Sequence, residues 1–280
     1  MSGLPASYSE LQPSGLELEF AHASDPGRVR GHNEDSLGHF VPPTPTHTRT
    51  HGWLFAIADG VGGQARGEVA SRIAIEALLR GFGDAVPLEP HGPLLQRLVQ
   101  AANIQVYEAG RSASAGGVAM ATTVVACALR YDRAAIAHVG DSRCYLVRQG
   151  RVNLLTRDHT VVNDQVRLGI LSAKEAAQSE RRHLLSRSLG HDLFVGVETS
   201  DHQVIPGDVL LLCSDGLHGA LESSDIASIL PPKADLEQAA AAMLDLANQR
   251  DGSDNITVQL IRVLGVERVG MYRGRPYKLR

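Results

Sequence analysis

An α+β fold with antiparallel sheets is the architecture this sequence predicts. Strand-like segments come in runs joined by short turns, which favours antiparallel pairing. Helical patterns come in two pairs, so the order lacks the alternation of a βαβ protein. Composition agrees: 43% of the 280 residues are apolar and 4% aromatic, enough to fill a core built from Ala, Val, Leu and Ile. A two-sheet core with a helix pair over each outer face satisfies all three observations.

The elements follow in order. Residues 1–15 are rich in Ser, Pro and Gly and read as a flexible arm. Alternation in Leu16-Glu17-Leu18-Glu19-Phe20 predicts an amphipathic strand. The stretch 41–50 (VPPTPTHTRT) carries Pro42, Pro43 and Pro45 and reads as an irregular surface loop. Residues 53–58 (WLFAIA) form a continuous apolar run, a buried strand that stops at Asp59-Gly60. A helix is expected over 68–82, with Val69, Ile73, Ala77 and Leu78 on its buried face and Gly81 and Gly83 as its stop. Pro87, Pro90 and Pro93 hold open a linker to a second helix over 94–109.

Strands are expected at 122–129, 134–139, 144–148 and 152–155, with Gln149-Gly150 as a hairpin turn. Residues 157–192 break this rhythm. They are polar, hold two short helical patterns (161–168 and 173–178) and the run Glu180-Arg181-Arg182-His183, and read as a lid or flap. Strands resume at 194–197 and 208–213. A helix pair follows. In its second member Leu236, Ala239, Ala240, Met243, Leu244 and Ala247 fall at helical spacing. The last strand is 255–264.

Several function classes drop out. With 27 basic and 31 acidic residues the net charge is −4, which gives no electrostatic basis for holding nucleic acid. The longest apolar stretch, 117–129, falls short of the roughly 18–20 residues a membrane helix needs. The N-terminus lacks the basic start and apolar run of a signal peptide. Cys127, Cys144 and Cys213 lie far apart in strand-like runs and read as reduced core residues of a cytoplasmic protein.

The chemistry concentrates in five acidic clusters at strand ends or beside glycines: Asn33-Glu34-Asp35, Asp59-Gly60, Gly140-Asp141-Ser142, Ser214-Asp215-Gly216 and Asp251-Gly252-Ser253-Asp254-Asn255. An apolar strand ending in Asp-Gly holds a carboxylate rigidly at the sheet edge, and the glycine lets the backbone approach what the carboxylate binds. One Asp-Gly alone is ordinarily a turn. Five such clusters need a counter-charge, and carboxylate and carbonyl oxygens suit Mg²⁺ or Mn²⁺. Without cysteine, and with His32 as the one adjacent histidine, they do not suit structural zinc. Arg30, five residues before Asp35, can hold a phosphate bidentately or simply neutralise Glu34.

The ordered motifs RVRGHNEDS, WLFAIADGVGG, GEVAS, MATTVV, HVGDSRCYL, TRDHT, LLLCSDGL and SDNITV resemble the metal-dependent type 2C protein serine/threonine phosphatases, in their bacterial form, over about residues 16–264. The resemblance implies two stacked antiparallel sheets flanked by helix pairs, an α-β-β-α sandwich, as one catalytic domain over 16–265; the residues after it, 266–280, read as a short basic tail. It implies two Mn²⁺ or Mg²⁺ ions and a weaker third. Asp59 would bridge the two, Gly60 would offer its carbonyl, and Glu34 would lie on the same metal, with Asp35 acting directly or through water. Asp215 and Asp254 would hold the other metal, and Asp141 with Asp215 the third. Arg30 would bind the phosphate, and 157–192 would be the flap.

The implied reaction is hydrolysis of phosphoserine and phosphothreonine in proteins by a hydroxide bridging the two metals, with Arg30 and Asp59 central to it. The implied partners are phosphorylated proteins and a cognate serine/threonine kinase, in cytoplasmic signalling without nucleic acid or membrane. Two departures stand out: Val61 occupies the place of a histidine in animal relatives, and Ala121 stands where many bacterial members have glycine. The proton donor is thus open, between a metal-bound water, His159 and His32. Two rivals remain: a catalytically inactive, phosphopeptide-binding version of the fold, and a metal-dependent phosphoesterase for small substrates.

Overall fold

The computed structural model describes residues 15–61, 66–112, 120–272 and 275–278, the last two strands by backbone alone. The arm expected at 1–15 therefore lies, apart from Gly15, outside the described residues. In chain order come β1 (Glu17–Asp25), β2 (Ser36–Phe40), α1 (Pro45–Thr50), β3 (Trp53–Ala58), α2 (Gly67–Gly83) and α3 (His91–Ser112). Next are β4 (Val124–Arg130), β5 (Arg133–Val139), β6 (Arg143–Arg148), β7 (Arg151–Leu154), α4 (Val161–Arg167) and α5 (Ala173–Gln178). Last are β8 (Glu198–Gln203), β9 (Val209–Cys213), α6 (Asp215–His218), α7 (Ser223–Ile229), α8 (Leu236–Arg250), β10 (Ile256–Gly265), β11 (Val269–Tyr272) and β12 (Arg275–Lys278).

Two five-stranded antiparallel sheets stack face to face. One has the order β1-β10-β9-β6-β7 and the other β2-β3-β4-β5-β8. The alternation of side chains along a strand explains why their central members are apolar throughout. In β3, Phe55 and Ile57 face the inter-sheet layer with Leu210, Leu212 and Ile261, while Leu54, Ala56 and Ala58 face α2 and α3. In β9, Leu211 and Cys213 face the layer under α6, α7 and α8. Alanine predominates where the β3–β5 faces meet the helices, and the small side chains let helix and sheet approach closely. All three cysteines are buried and unpaired.

Several expectations are corrected. The stretch 41–50 is not wholly irregular: Thr44 caps α1 by accepting from the His47 N–H at 3.2 Å, and Pro45 sits in the first turn, where its missing N–H costs nothing. Helix α2 buries Ala70, Ala74, Ile75, Ala77, Leu78 and Phe82, while Val69 and Ile73 sit at the edge of that face. Gly81 lies inside this helix, because a side chain there would meet Leu98 of α3. The strand expected at 194–197 is absent, and β8 starts at Glu198. Three helices, rather than a pair, separate β9 from β10. The tail beyond β10 forms an antiparallel β11–β12 hairpin. The Gln149-Gly150 turn is as expected, with φ of 52° and 77° suited to a tight hairpin.

Candidate active site

Antiparallel register brings the distant acidic clusters to one end of the sandwich. Strands β3, β5 and β9 all finish there, with Asp59, Asp141 and Asp215 one or two residues beyond. Strand β10 begins there, two residues after Asp254, and β2 begins immediately after Asp35, with Ser36 paired to Ala58. The chain leaving β1 at Asp25, opposite Ile256, supplies Arg30.

Backbone hydrogen bonds hold these ends rigid. The Asp59 N–H donates to Thr123 Oγ1 at 3.0 Å, and the Asp59 carbonyl accepts from the Thr122 hydroxyl and the Thr123 N–H, both at 2.8 Å. Thr123 in turn meets the Ser142 hydroxyl at 2.6 Å, tying the Asp59 turn to the Asp141 turn. Gly60 is packed too tightly for any side chain: a Cβ would lie 2.5 Å from the Gly67 carbonyl and 2.6 Å from that of Glu34. Asn255 anchors the Arg30 loop, accepting from the Glu34 N–H at 2.8 Å and donating to the carbonyls of Pro26 and His32 at 2.9 Å.

Asp59, Asp141, Asp215 and Asp254 line one cavity of about 410 Å³, with Arg30, Gly60, Val61, Ala121 and Thr123. Glu34 and Asp35 do not line it. The Glu34 carboxyl packs against Gly67, and Asp35 Oδ2 accepts from the Ser214 hydroxyl at 2.8 Å behind the cavity wall. Arg30 pairs with Asp254 at 2.7 Å, not with Glu34 as one sequence reading allowed.

The carboxyls are held far from their ordinary behaviour. Burial, then the charges of Asp35, Asp215, Asp141 and Asp254, push Asp59 well above the carboxylate range. Burial and then Asp215 raise Asp141 to about 8. Burial raises Asp35 to about 7, against the opposing Thr257 and Ser214 hydroxyls. Burial and then Asp254 raise Asp215, and burial and then Glu68 raise Glu34. Asp35 Oδ1 is closed to solvent without a hydrogen-bond partner among the described residues. Four mutually repelling carboxyls around one cavity, with an orphaned carboxylate oxygen behind its wall, suit a hard divalent cation.

The two histidines weighed as proton donors are elsewhere. His159 is buried, accepts from the Gly140 N–H at 3.2 Å on Nδ1 and turns Nε2 toward Glu198 at 3.2 Å; burial lowers its pKa to about 4. It stacks on His138 with centroids 4.7 Å apart and an interplanar angle of 14°. Those near-parallel planes prevent one ion from lying in the plane of both rings, so His138, His159 and Glu198 make a clamp at the flap's base. His32 is exposed and does not line the cavity. Instead His183 and His191 are on its wall. Sequence reasoning noticed His183 only as part of a charged run, and no pattern singled out His191.

A two-sheet sandwich with carboxyls gathered at one end offers a site for hard cations, and the relatives of this chain place it in the protein serine/threonine phosphatase class. The chain belongs to the protein phosphatase 2C family, whose model matches residues 31–261. It is 35% identical over 256 residues to the serine/threonine phosphatase stp of Listeria welshimeri, covering 90% of this chain and 96% of that protein. The structure of the S. agalactiae serine/threonine phosphatase superposes with a TM-score of 0.80 at 33% identity, over 88% of this chain and 100% of that one. The catalytic domain of the phosphatase PstP, crystallised with two manganese ions, superposes with a TM-score of 0.71 at 33% identity, over 89% of this chain and 99% of that one.

Proposed function

We propose that this chain hydrolyses phosphoserine and phosphothreonine in proteins at a centre of two divalent cations, Mn²⁺ or Mg²⁺. The carrying observation is the single cavity that gathers Asp59, Asp141, Asp215 and Asp254 under one arginine, Arg30. Bound cations supply the counter-charge the cluster lacks and acidify water for attack on phosphorus.

The residues divide the remaining work. Asp59, whose pKa is raised by four neighbouring carboxyls, would hold both cations, with the Gly60 carbonyl beside it. Asp215 and Asp254 would hold the second cation, and Asp141 with Asp215 a weaker third. Glu34 and Asp35 stand behind the wall and would support the cation site from there. Arg30, released from Asp254, grips the phosphoryl oxygens and orients phosphorus for in-line attack. The new bond is from water oxygen to phosphorus; the ester bond breaks and its electron pair leaves on the serine or threonine oxygen, which takes up a proton in balance with the one the attacking water gives up.

The catalytic unit is inferred to span 16–265, with 157–192 as flap. The proposed setting is cytoplasmic signalling opposite a serine/threonine kinase. No described helix is long and apolar enough to cross a membrane. Turnover of a phosphopeptide and of a small aryl phosphate, each with Mn²⁺ and with excess chelator, tests the reading. Metal-dependent phosphopeptide turnover supports it. Phosphopeptide binding without turnover points to an inactive version of the fold, and turnover of the aryl phosphate alone to a small-substrate phosphoesterase.

A further inference from the structure

We propose that a second cavity, between the flap and α6, is an anion-binding subsite that takes a carboxylate or second phosphoryl group of the substrate, near the scissile phosphoserine. This rests on the phosphoprotein hydrolysis proposed above. The cavity measures about 320 Å³ and adjoins the catalytic one: Asp141 and His183 line both. A substrate segment with its phosphate at Arg30 therefore has an open neighbour to extend into.

One turn of the flap divides its side chains between the two spaces. Helix α5 is locked by Ser172 and Glu175, which satisfy each other's backbone N–H groups. Ser179 then fixes the turn, its carbonyl accepting from the Arg182 N–H and its hydroxyl from the Arg181 N–H, both at 3.2 Å; the Leu184 N–H closes onto the Arg181 carbonyl at 3.0 Å. As a result Arg182 lines the second cavity, His183 lines both and Leu184 lines the catalytic one. Arg181 lines neither.

Apart from Asp141, which the catalytic cavity shares and which the proposed cation site would occupy, the free charge in the second cavity is that of Arg182. The cavity's other guanidinium, Arg143, is consumed by Asp158 at 2.8 and 2.7 Å and by the Tyr145 hydroxyl at 2.9 Å. Asp158 is neutralised by the same contact, and His218 is held on the Asp141 carbonyl at 3.0 Å. Arg182 is exposed and has no side-chain hydrogen bond or ion pair among the described residues, whereas His183, also exposed, faces the charge of Asp215. Val162, Val166 and Ala176 form an apolar floor beneath them. A guanidinium without an internal partner, in a cavity that shares Asp141 and His183 with the catalytic one, suits an anionic side chain about two to four residues from the phosphoserine.

The test uses the Mn²⁺-loaded enzyme and matched phosphopeptides carrying Glu, a second phosphoserine, Ala or Lys at those flanking positions. Wild type should favour the anionic peptides over the alanine peptide by roughly three- to tenfold in kcat/KM. The larger of the Glu and phosphoserine preferences identifies the source of the anion. Arg182→Ala should bring the preference to about one, Arg182→Glu should turn it toward the lysine peptide, and Arg181→Ala should keep it. Equal wild-type rates on all peptides, or an equal loss of preference in the Arg181 and Arg182 variants, would overturn the subsite alone. Failure of wild type to cleave any phosphopeptide while binding Mn²⁺ would overturn both this inference and the function it rests on.

Discussion

Arg30 and Asp254 form an ion pair at 2.7 Å across the mouth of the carboxyl cavity. The side chains are 42% and 37% exposed, so solvent screens the pair and its worth is about 1 kcal/mol or less. It is weak enough to be exchanged: Asp254 can turn to a cation and Arg30 to a phosphate.

That exchange separates the two roles. Arg30→Ala should leave Mn²⁺ affinity within a few-fold of wild type, since it removes only a competitor for Asp254. It should lower kcat/KM about ten- to a hundredfold, by losing a charge-assisted contact of roughly 1.5–3 kcal/mol. Asp59→Asn should abolish turnover and weaken Mn²⁺ binding. Titration calorimetry and kinetics on both variants check this; an equal fall in Mn²⁺ affinity would show that Arg30 belongs to the metal site.

Stability should depend on pH and metal together. Asp35 and Asp141, raised to about 7 and about 8 from 3.8, keep protons in the folded chain that the unfolded chain has lost. Their contribution is fully present below 3.8 and is lost as pH climbs through 7 and then 8. The stabilisation by Mn²⁺ over chelator should therefore be larger at about pH 9 than at about pH 5. Buried histidines such as His91 and His159, depressed to about 4, largely cancel in that difference. Thermal unfolding in four conditions checks it, and a metal increment that shrinks with rising pH would refute it.

Gly60→Ala should be costly despite its size. The added methyl meets backbone on two sides, the Gly67 and Glu34 carbonyls, and neither can swing away. Overpacking of this kind destabilises by roughly 1–3 kcal/mol. Denaturant unfolding should show that loss, with turnover reduced as the Asp59 turn shifts; a variant as stable as wild type would mean the strand ends are looser than their hydrogen bonds indicate.

Asn255→Ala should unpin the Arg30 loop. It strands the Glu34 N–H and two carbonyls, at a cost of about 1–3 kcal/mol. The Asn255 N–H, which donates to Asp254 Oδ1 at 2.9 Å, is kept in the variant; the lost side chain holds only the Arg30 loop, so the kinetic effect should appear as a raised KM through Arg30. Unchanged KM with lowered stability would confine its role to folding.

Local pattern determined much of this protein. The apolar run 53–58 and the motif LLLCSDGL placed β3, β9 and their terminal aspartates, because burial on both strand faces and an Asp-Gly stop are encoded in neighbouring residues. The hairpin at Gln149-Gly150 and helices α4 and α5 were legible for the same reason. Tertiary structure decided what local pattern cannot carry. Thr44 made a helix start of a proline-rich stretch. His159 was drawn away into Glu198, while His183 and His191 were brought to the cavity wall. Arg182 was set apart from Arg181 by a turn closed on Ser179. The physical reason is distance along the chain: Glu34 is positioned by Asn255, 221 residues away, and Asp59 by Thr123, 64 residues away. Side chains so related meet only when both sheets have formed, and which wall each one lines is a property of that meeting.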